Sequence, residues 1–142
     1  MIVLKRGSYE TISNPSKEII AHLLRVAPND GLAPDFYIMK DDGSADTGLM
    51  FFCTLFGESD PPSWNVAVHP AGQKRLLNLA TQSPSTDAFV MRTRSGCVEL
   101  FRRECAIQDH MLILKAVDRF LIDGNAAPEL IWLSEAQAVR TY

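Results

Sequence analysis

The order of hydrophobic patterns along the chain is the feature that most limits its fold. Apolar residues recur at helical spacing in one segment near each end, whereas the residues between them form runs of strand-like composition. Strands that follow one another between two helices favour an antiparallel sheet with the helices packed on it. We therefore predict an α+β fold, with an antiparallel sheet of about five to seven strands and two main helices.

The first and last helices carry start and stop signals. Asn14 is predicted as the N-cap of the first helix, with Pro15 at the first helical position, where its missing N–H costs nothing. Gly124 is placed to end the last helix in a left-handed conformation. A short third helix is predicted between these two. The predicted helices span residues 15–27, 71–80 and 109–122.

Strand-like runs fill most of the remaining chain. The alternation of Trp64, Val66 and Val68 predicts that one face of their strand is buried. Two later runs separated by Ser95-Gly96 predict a β-hairpin with a two-residue turn. The predicted strands span residues 2–4, 36–40, 49–56, 64–68, 88–94, 97–103 and 128–133.

Length and charge restrict the class of protein. The chain has 142 residues, which is the length of one domain, so a single domain over residues 1–142 is predicted. A net charge of −3 argues against a dedicated nucleic-acid-binding protein, which would be basic. No stretch approaches the roughly 20 apolar residues of a membrane span, and the amino terminus lacks the apolar run of a signal peptide. These features predict a cytoplasmic protein without membrane or nucleic-acid partners.

Residues that could carry chemistry are few and show no catalytic pattern. The three cysteines lack zinc-site spacing, and they are interpreted as small buried hydrophobes. His22 and His110 are interpreted as surface residues of the two helices. We therefore predict no catalytic residue, metal or cofactor, and a binding protein rather than an enzyme. The alternatives are a small enzyme or ligand-binding domain with a pocket near His69 and Cys53, and an adaptor or secretion chaperone.

Acidic residues gather in the loops of the middle segment. Seven acids lie between residues 30 and 60, against Lys40 as the one basic residue there. Solubility alone would account for such acids, and so would a negative surface that steers a basic partner. Two loops carry them from opposite ends of the strand 49–56, and the loop 41–46 is the stronger candidate. The candidate partner-binding residues are Asp41, Asp42, Asp46, Glu58 and Asp60.

The carboxy-terminal third carries a family resemblance. Cys105-Ala106-Ile107 leads into the amphipathic helix 109–122, and Pro128-Glu129-Leu130-Ile131-Trp132 follows as a closing strand. This arrangement resembles the immunity protein 1 family of bacterial polymorphic toxin systems. The resemblance implies a cytoplasmic antitoxin that binds a cognate toxin domain, often a nucleic-acid deaminase or nuclease, and blocks its active site. The free protein is expected to be a monomer or a small homo-oligomer, with Trp132 in its core.

Overall fold

Two antiparallel sheets and three helices make up the structure, a computed structural model that describes residues 1–8, 10–41, 47–54, 62–85, 87–94 and 97–141. Residues 54, 92–94, 97 and 141 are described by their backbone alone. The helices are α1 (Lys17–Val26), α2 (His110–Asp123) and α3 (Glu135–Ala138). The strands are β1 (Ile2–Arg6), β2 (Glu10–Ser13), β3 (Phe36–Lys40), β4 (Gly48–Thr54), β5 (Ser63–His69), β6 (Leu77–Ala80), β7 (Phe89–Arg94), β8 (Cys97–Arg102), β9 (Ile131–Ser134) and β10 (Val139–Thr141).

The larger sheet has seven strands in the order β2-β1-β3-β4-β5-β6-β9, and its neighbouring strands are antiparallel. The smaller sheet has the order β10-β8-β7 and is also antiparallel. Of the helices, α1 and α2 are the two long ones. Over the described residues, this architecture confirms the predicted α+β class, the antiparallel sheet and the two main helices.

The main apolar core lies between the larger sheet and the helices α1 and α2. Phe36 of β3 stacks on Phe51 of β4 with 4.4 Å between the ring centroids, and Trp64 of β5 meets Phe36 edge-on at 5.5 Å. Alternation along the strands places these side chains on the face that the helices cover. The helices contribute buried side chains to the same cluster: Ile20, Leu23, Leu24, Ile113, Ala116, Val117 and Phe120.

The start of α1 differs from the prediction. Its N-cap is Ser16, whose hydroxyl accepts a hydrogen bond from the Ile19 backbone N–H at 3.2 Å. The prediction of Asn14 as the N-cap and of Pro15 as the first helical residue is wrong: Pro15 precedes the cap, Asn14 has a φ of +49°, and the Asn14 side-chain oxygen accepts from the Ile2 N–H at 3.2 Å. Asn is one of the few side chains that tolerate a left-handed backbone. Asn14 therefore turns the chain between β2 and α1 and binds it to β1.

Both ends of α2 lie within a residue of those predicted. Asp109 is its N-cap, and the carboxylate accepts from the Met111 N–H at 3.0 Å. Gly124 ends the helix in the left-handed conformation, with a φ of +74°. The Lys40 ammonium donates to the Asp123 carbonyl at 3.3 Å. A cation therefore lies at the carboxyl end of the helix, where the helix dipole favours positive charge.

A second apolar cluster joins the smaller sheet to the opposite face of the larger one. Ala80 of β6 and Leu133 of β9 point away from α1 and α2, and Phe101 of β8 is fully buried in the same cluster. The predicted hairpin is confirmed, since β7 and β8 pair as far as Arg94 and Cys97. Its turn, Ser95-Gly96, lies outside the described residues.

The predicted helix over residues 71–80 is wrong. That segment contains β6, which lies between β5 and β9 in the larger sheet. A four-residue strand is stabilised mainly by pairing with its neighbours, so its local sequence carries little signal.

The strand β9 begins later than the predicted closing strand. It starts at Ile131, because residues 128–130 form a turn. Trp132 is half-buried against the main core, and its indole N–H donates to the Ala127 carbonyl at 2.9 Å.

The central strand β5 is buried on both faces. Trp64, Val66 and Val68 are fully buried, as predicted, but Asn65 and Ala67 on the other face are buried as well. The smaller sheet and its connections cover that second face, which the alternation along β5 does not reveal. The buried Asn65 amide nitrogen donates to the Asn78 side-chain oxygen at 3.2 Å, whereas the Asn65 side-chain oxygen is buried without a partner among the described residues.

Candidate functional site

One face of the larger sheet, the face that points away from α1 and α2, is covered over only part of its width in the described structure. The smaller sheet and α3 pack on its β6–β9 side. On the side of β3 and β4, Tyr37, Met39, Met50 and Phe52 point the same way and belong to neither apolar cluster. Tyr37 is 38% exposed. These four residues are called the open face below.

A groove of about 710 Å³ lies along the open face. Strand register places His69, Gly48 and Met39 side by side on β5, β4 and β3, and Met50 and Tyr37 are partners in the next row. Because Gly48 has no side chain, the floor is lowest between His69 and Met39. A groove of this volume accommodates a small molecule or a few side chains of a protein segment.

A carboxylate and an imidazole line the groove at opposite ends of its strands. Asp35 precedes β3, and its carboxylate accepts a hydrogen bond from the Cys53 backbone N–H at 2.8 Å. His69 ends β5, and its Nδ1 atom is buried without a hydrogen-bond partner among the described residues. The groove therefore combines an apolar floor with a carboxylate at one end and an imidazole at the other.

Asp41 lies where the open face continues beyond Met39. It is exposed, and with Met39 and Lys5 it lines an adjoining cavity of about 310 Å³. Its backbone N–H donates to the Met1 carbonyl at 2.8 Å, which holds the end of β3 against β1. The other predicted partner-binding residues lie outside the described part of the chain: Asp42, Asp46, Glu58 and Asp60.

The pairing of His69 with Cys53, the alternative suggested by the sequence, does not occur. His69 pairs with Gly48, and Cys53 lies five residues farther along β4, about 16 Å away at roughly 3.3 Å per residue. The odd separation also puts Cys53 on the helix-covered face, against the main core. Burial, with a smaller effect of the Asp35 charge, raises the pKa of the Cys53 thiol to about 11. The thiol is therefore protonated at neutral pH, unlike an activated nucleophile.

His22, His110 and Cys105 lie away from the lining of the groove, and the side chain of Cys97 lies outside the described part of the chain. His22 is exposed on α1, with its ring nitrogen 3.5 Å from the Arg25 guanidinium. Burial, with a smaller effect of Arg25, lowers the pKa of His110 in the first turn of α2, and Asp109 opposes that shift. Cys105 is fully buried, as predicted. Among the described residues, no group of three or more His, Cys, Asp or Glu side chains could hold a metal ion.

An ion pair between a buried guanidinium and a partly exposed carboxylate holds one wall of the groove. Arg6, at the end of β1, is only 2% exposed and contacts Asp30 through two nitrogens, with Nη2 2.7 Å from Oδ1. Its Nε donates to the Ala33 carbonyl at 3.0 Å. Gly7 and Ala33 line the groove, so Arg6 fixes both the strand end and the loop that form this wall. The hydrogen bond from Arg6 is the main reason that the pKa of Asp30 is lowered to about 2.

The open face is not among the sites predicted from the sequence, although the sequence contains a signal for it. In residues 36–39 and 49–53, apolar side chains occupy consecutive positions and therefore both faces of β3 and β4. The helices cover one of these faces, so the other needs a second covering layer or a partner. Among the described residues, the position of the smaller sheet decides which part of this face is left uncovered, and no local sequence pattern indicates that position.

Comparison with protein-family models, curated proteins and solved structures finds no match for this chain. The resemblance to the immunity protein 1 family therefore stays a prediction. Within the described residues, no helix is long and apolar enough to cross a membrane. The open face and its charged border are the features on which a functional interpretation is built.

Proposed function

We propose that this chain is an immunity protein, which binds a cognate bacterial toxin domain through the open face and neutralises it stoichiometrically. One observation carries the proposal: a contiguous apolar part of the sheet, the open face, contributes to neither core cluster and forms the floor of a groove. Contiguous apolar surface of this kind commonly marks an interaction site. The proposed activity is binding, and it requires neither a metal nor a cofactor.

The charge around the open face supports a basic partner. Asp41 is exposed beyond one end of it, and Asp35 lines the groove toward the other end. Lys5 is the basic residue that lines the adjoining cavity. Carboxylates around an apolar centre suit a partner with a cationic rim, because charge speeds association and buried apolar contacts slow dissociation.

A toxin domain that acts on nucleic acid has the required chemistry. Proteins that hold single-stranded nucleic acid use a positively charged groove and aromatic side chains on which bases stack. Deaminases also take the target base into an active-site pocket. An acidic protein surface that occupies such a groove excludes the phosphate backbone. The carboxy-terminal resemblance implies the same class of partner, a deaminase or nuclease met in competition between bacteria.

Replacing Tyr37 with lysine tests the open face. Lysine would place an unpaired charge within an apolar interface, so Tyr37→Lys should weaken toxin binding by about 30-fold or more, the effect of losing roughly 2 kcal/mol at a central contact. The partner to test is any toxin-domain protein encoded directly upstream of the gene of this chain. The measurements are the dissociation constant by calorimetry and the survival of cells that express the toxin.

Val98→Lys is the matched control for Tyr37→Lys. Val98 is a strand residue of similar exposure, 47%, but it lies on the smaller sheet. Val98→Lys should leave toxin binding unchanged. If Tyr37→Lys bound the toxin as tightly as the wild type, with an unchanged circular dichroism spectrum, the open face would not be the binding site.

Reversing the charge of Asp41 tests the acidic border. Asp41→Lys should slow association about tenfold at low salt and have less effect at high salt, because the interaction acts at long range through solvent. Stopped-flow fluorescence measures this rate. Glu129→Lys changes the net charge equally at an exposed turn and should leave the rate near that of the wild type. Equal rates for both variants at low salt would remove Asp41 from the interface.

A ligand-binding domain is the second candidate, and the volume of the groove favours it. In that case a small apolar molecule, and not a protein, occupies the space over the open face. Tyr37→Lys would then weaken the binding of that molecule, while the toxin domain would fail to bind even the wild-type chain.

A further inference from the structure

The floor of the groove has a gap with a polar side chain at its edge. Across the sheet, Gly48 separates His69 from Met39, and Met50 follows Gly48 on the same face of β4. A flat ring placed over Gly48 would contact the Met39 and Met50 side chains. Thioethers adapt to aromatic rings and make favourable contacts with them. The gap is therefore shaped for an aromatic ring, with His69 beside it.

The burial of His69 indicates which of its nitrogens faces the groove. Nδ1 is buried and has no hydrogen-bond partner within the described residues. Nε2 is not among the buried side-chain atoms that lack a partner. A neutral imidazole has one N–H donor and one acceptor nitrogen. Buried N–H groups without partners are rarer than buried acceptors without partners, so the proton is assigned to Nε2. His69 therefore offers a donor at the groove, and an occupant must supply an acceptor.

The charges near the gap are those of a site for a cation. Asp41 lies two strands across and two residues along from His69, which places their Cα atoms about 12 Å apart. Asp35 lines the groove itself. Lys5 shares the adjoining cavity with Asp41 and is the one Lys or Arg among the described residues that line either space. An occupant with an aromatic ring and a positive charge close together would complement this arrangement.

We propose that the groove holds a tyrosine side chain of the partner protein, next to a lysine or arginine of the same segment. This proposal rests on the proposed function. The ring packs over Gly48 against the Met39 and Met50 side chains, the phenol oxygen accepts from Nε2 of His69, and the neighbouring cation lies near Asp35 or Asp41. Tyrosine suits the site because its apolar ring ends in an acceptor. Phenylalanine has no polar atom, and the indole N–H of tryptophan only donates.

Three small molecules test this proposal without the toxin. Tyramine has a phenol and a cation, phenethylamine lacks the hydroxyl, and 3-(4-hydroxyphenyl)propionate carries the opposite charge. In titrations followed by ¹H–¹⁵N NMR, tyramine should shift the amide signals of Gly48 and His69 and bind about fivefold more tightly than phenethylamine, the effect of one hydrogen bond. It should also bind more tightly than the propionate.

Two variants separate the hydrogen bond from the charge. His69→Phe keeps a ring but has no N–H, so tyramine and phenethylamine should bind it equally, while tyramine is still preferred over the propionate. Asp41→Asn should reduce the preference for the cation and retain the preference for the hydroxyl. The comparison of probes on the wild-type chain needs no variant, so it remains decisive if His69→Phe fails to fold.

The proposal is overturned if no probe shifts the Gly48 and His69 signals, if tyramine and phenethylamine bind the wild type equally, or if their difference persists in His69→Phe. These outcomes would not affect a toxin interaction that Tyr37→Lys abolishes, so the proposed function would stand without its tyrosine anchor. The opposite result is tyramine selectivity in a chain that binds no toxin. That result would contradict the proposed function, while the selectivity of the groove for a phenol beside a cation would stand.

Discussion

At the residue scale, Arg6 shows how a buried charge can position a binding surface. Its guanidinium is almost fully buried, and it contacts the Asp30 carboxylate and the carbonyls of Ala27 and Ala33. Arg6 is buried, so removing the Asp30 carboxylate takes a charged partner from a guanidinium that lies out of water, which destabilises the folded chain. The loop 30–35 therefore depends on Asp30 for its place beside the groove.

The Arg6–Asp30 pair should make stability depend on pH in the acid range. The pKa of Asp30 is about 2 in the folded chain, below the roughly 3.9 of an aspartate in an unfolded chain. Its contribution is therefore fully present above about pH 4 and is lost as the pH falls toward 2. Asp30→Asn should melt at a lower temperature at pH 6, and its melting temperature should fall less steeply than that of the wild type between pH 4 and 2.

A surface ion pair provides the control for Asp30→Asn. Asp118 pairs with Lys17 at 3.3 Å, and both side chains are largely exposed. Exposed pairs contribute little to stability, so Asp118→Asn should follow the wild-type melting curve at each pH. Parallel slopes for Asp30→Asn and the wild type below pH 4 would show that the Arg6–Asp30 pair is not the source of the acid sensitivity.

At the scale of elements, the carboxyl end of α2 is a point where backbone conformation and packing act together. Gly124 and Gly72 both have positive φ, +74° and +73°. A Cβ atom at Gly124 would lie 2.8 Å from Cε of Lys40 and 3.1 Å from Cγ2 of Thr47, whereas one at Gly72 would meet nothing within 4 Å. Gly72→Ala should lower the free energy of unfolding by about 1–2 kcal/mol, the cost of a left-handed alanine. Gly124→Ala should lower the free energy of unfolding further, and urea denaturation measures both losses. Equal losses would show that the Lys40 side chain moves away from the added methyl group at no cost in stability.

The elements that the sequence predicts well are those defined by local chemistry. The helix α2 has a capping aspartate, an apolar stripe and a left-handed glycine in one continuous segment, and the hairpin β7–β8 has two strand runs around a two-residue turn. For α1 two capping candidates lie close together, and Ser16 is the N-cap instead of Asn14. The strand β6 is the counter-example, because it is stabilised by β5 and β9 on either side and has little local signal of its own.

The candidate site is harder to predict than the elements, because it forms between them. Met39 and Met50 become neighbours of His69 only through the register of three strands, and within the described residues the groove is uncovered because the smaller sheet packs elsewhere. Asp41 was predicted from charge alone, and the structure places it at the border of the same surface. Its role in binding stays a prediction.

At the scale of the whole molecule, the larger sheet lies between two apolar layers, and Phe101→Ala tests whether these layers fold as one unit. Both tryptophans, Trp64 and Trp132, lie against the main core, whereas Phe101 is buried in the second cluster. Truncating a buried phenylalanine costs about 3–5 kcal/mol, and for a chain of this length that corresponds to a fall of roughly 10–17 °C in melting temperature.

If the two layers unfold together, tryptophan fluorescence and far-UV circular dichroism should report that fall equally for Phe101→Ala, although neither tryptophan is in the second cluster. Met91→Ala is the control, because Met91 is 58% exposed on the smaller sheet and its truncation should change stability by less than about 0.5 kcal/mol. A fluorescence transition that stays at the wild-type temperature, while circular dichroism shows an earlier one, would mean that the smaller sheet unfolds separately. The open face would then lie on a layer that is stable without its neighbour, because every residue of that face belongs to the larger sheet.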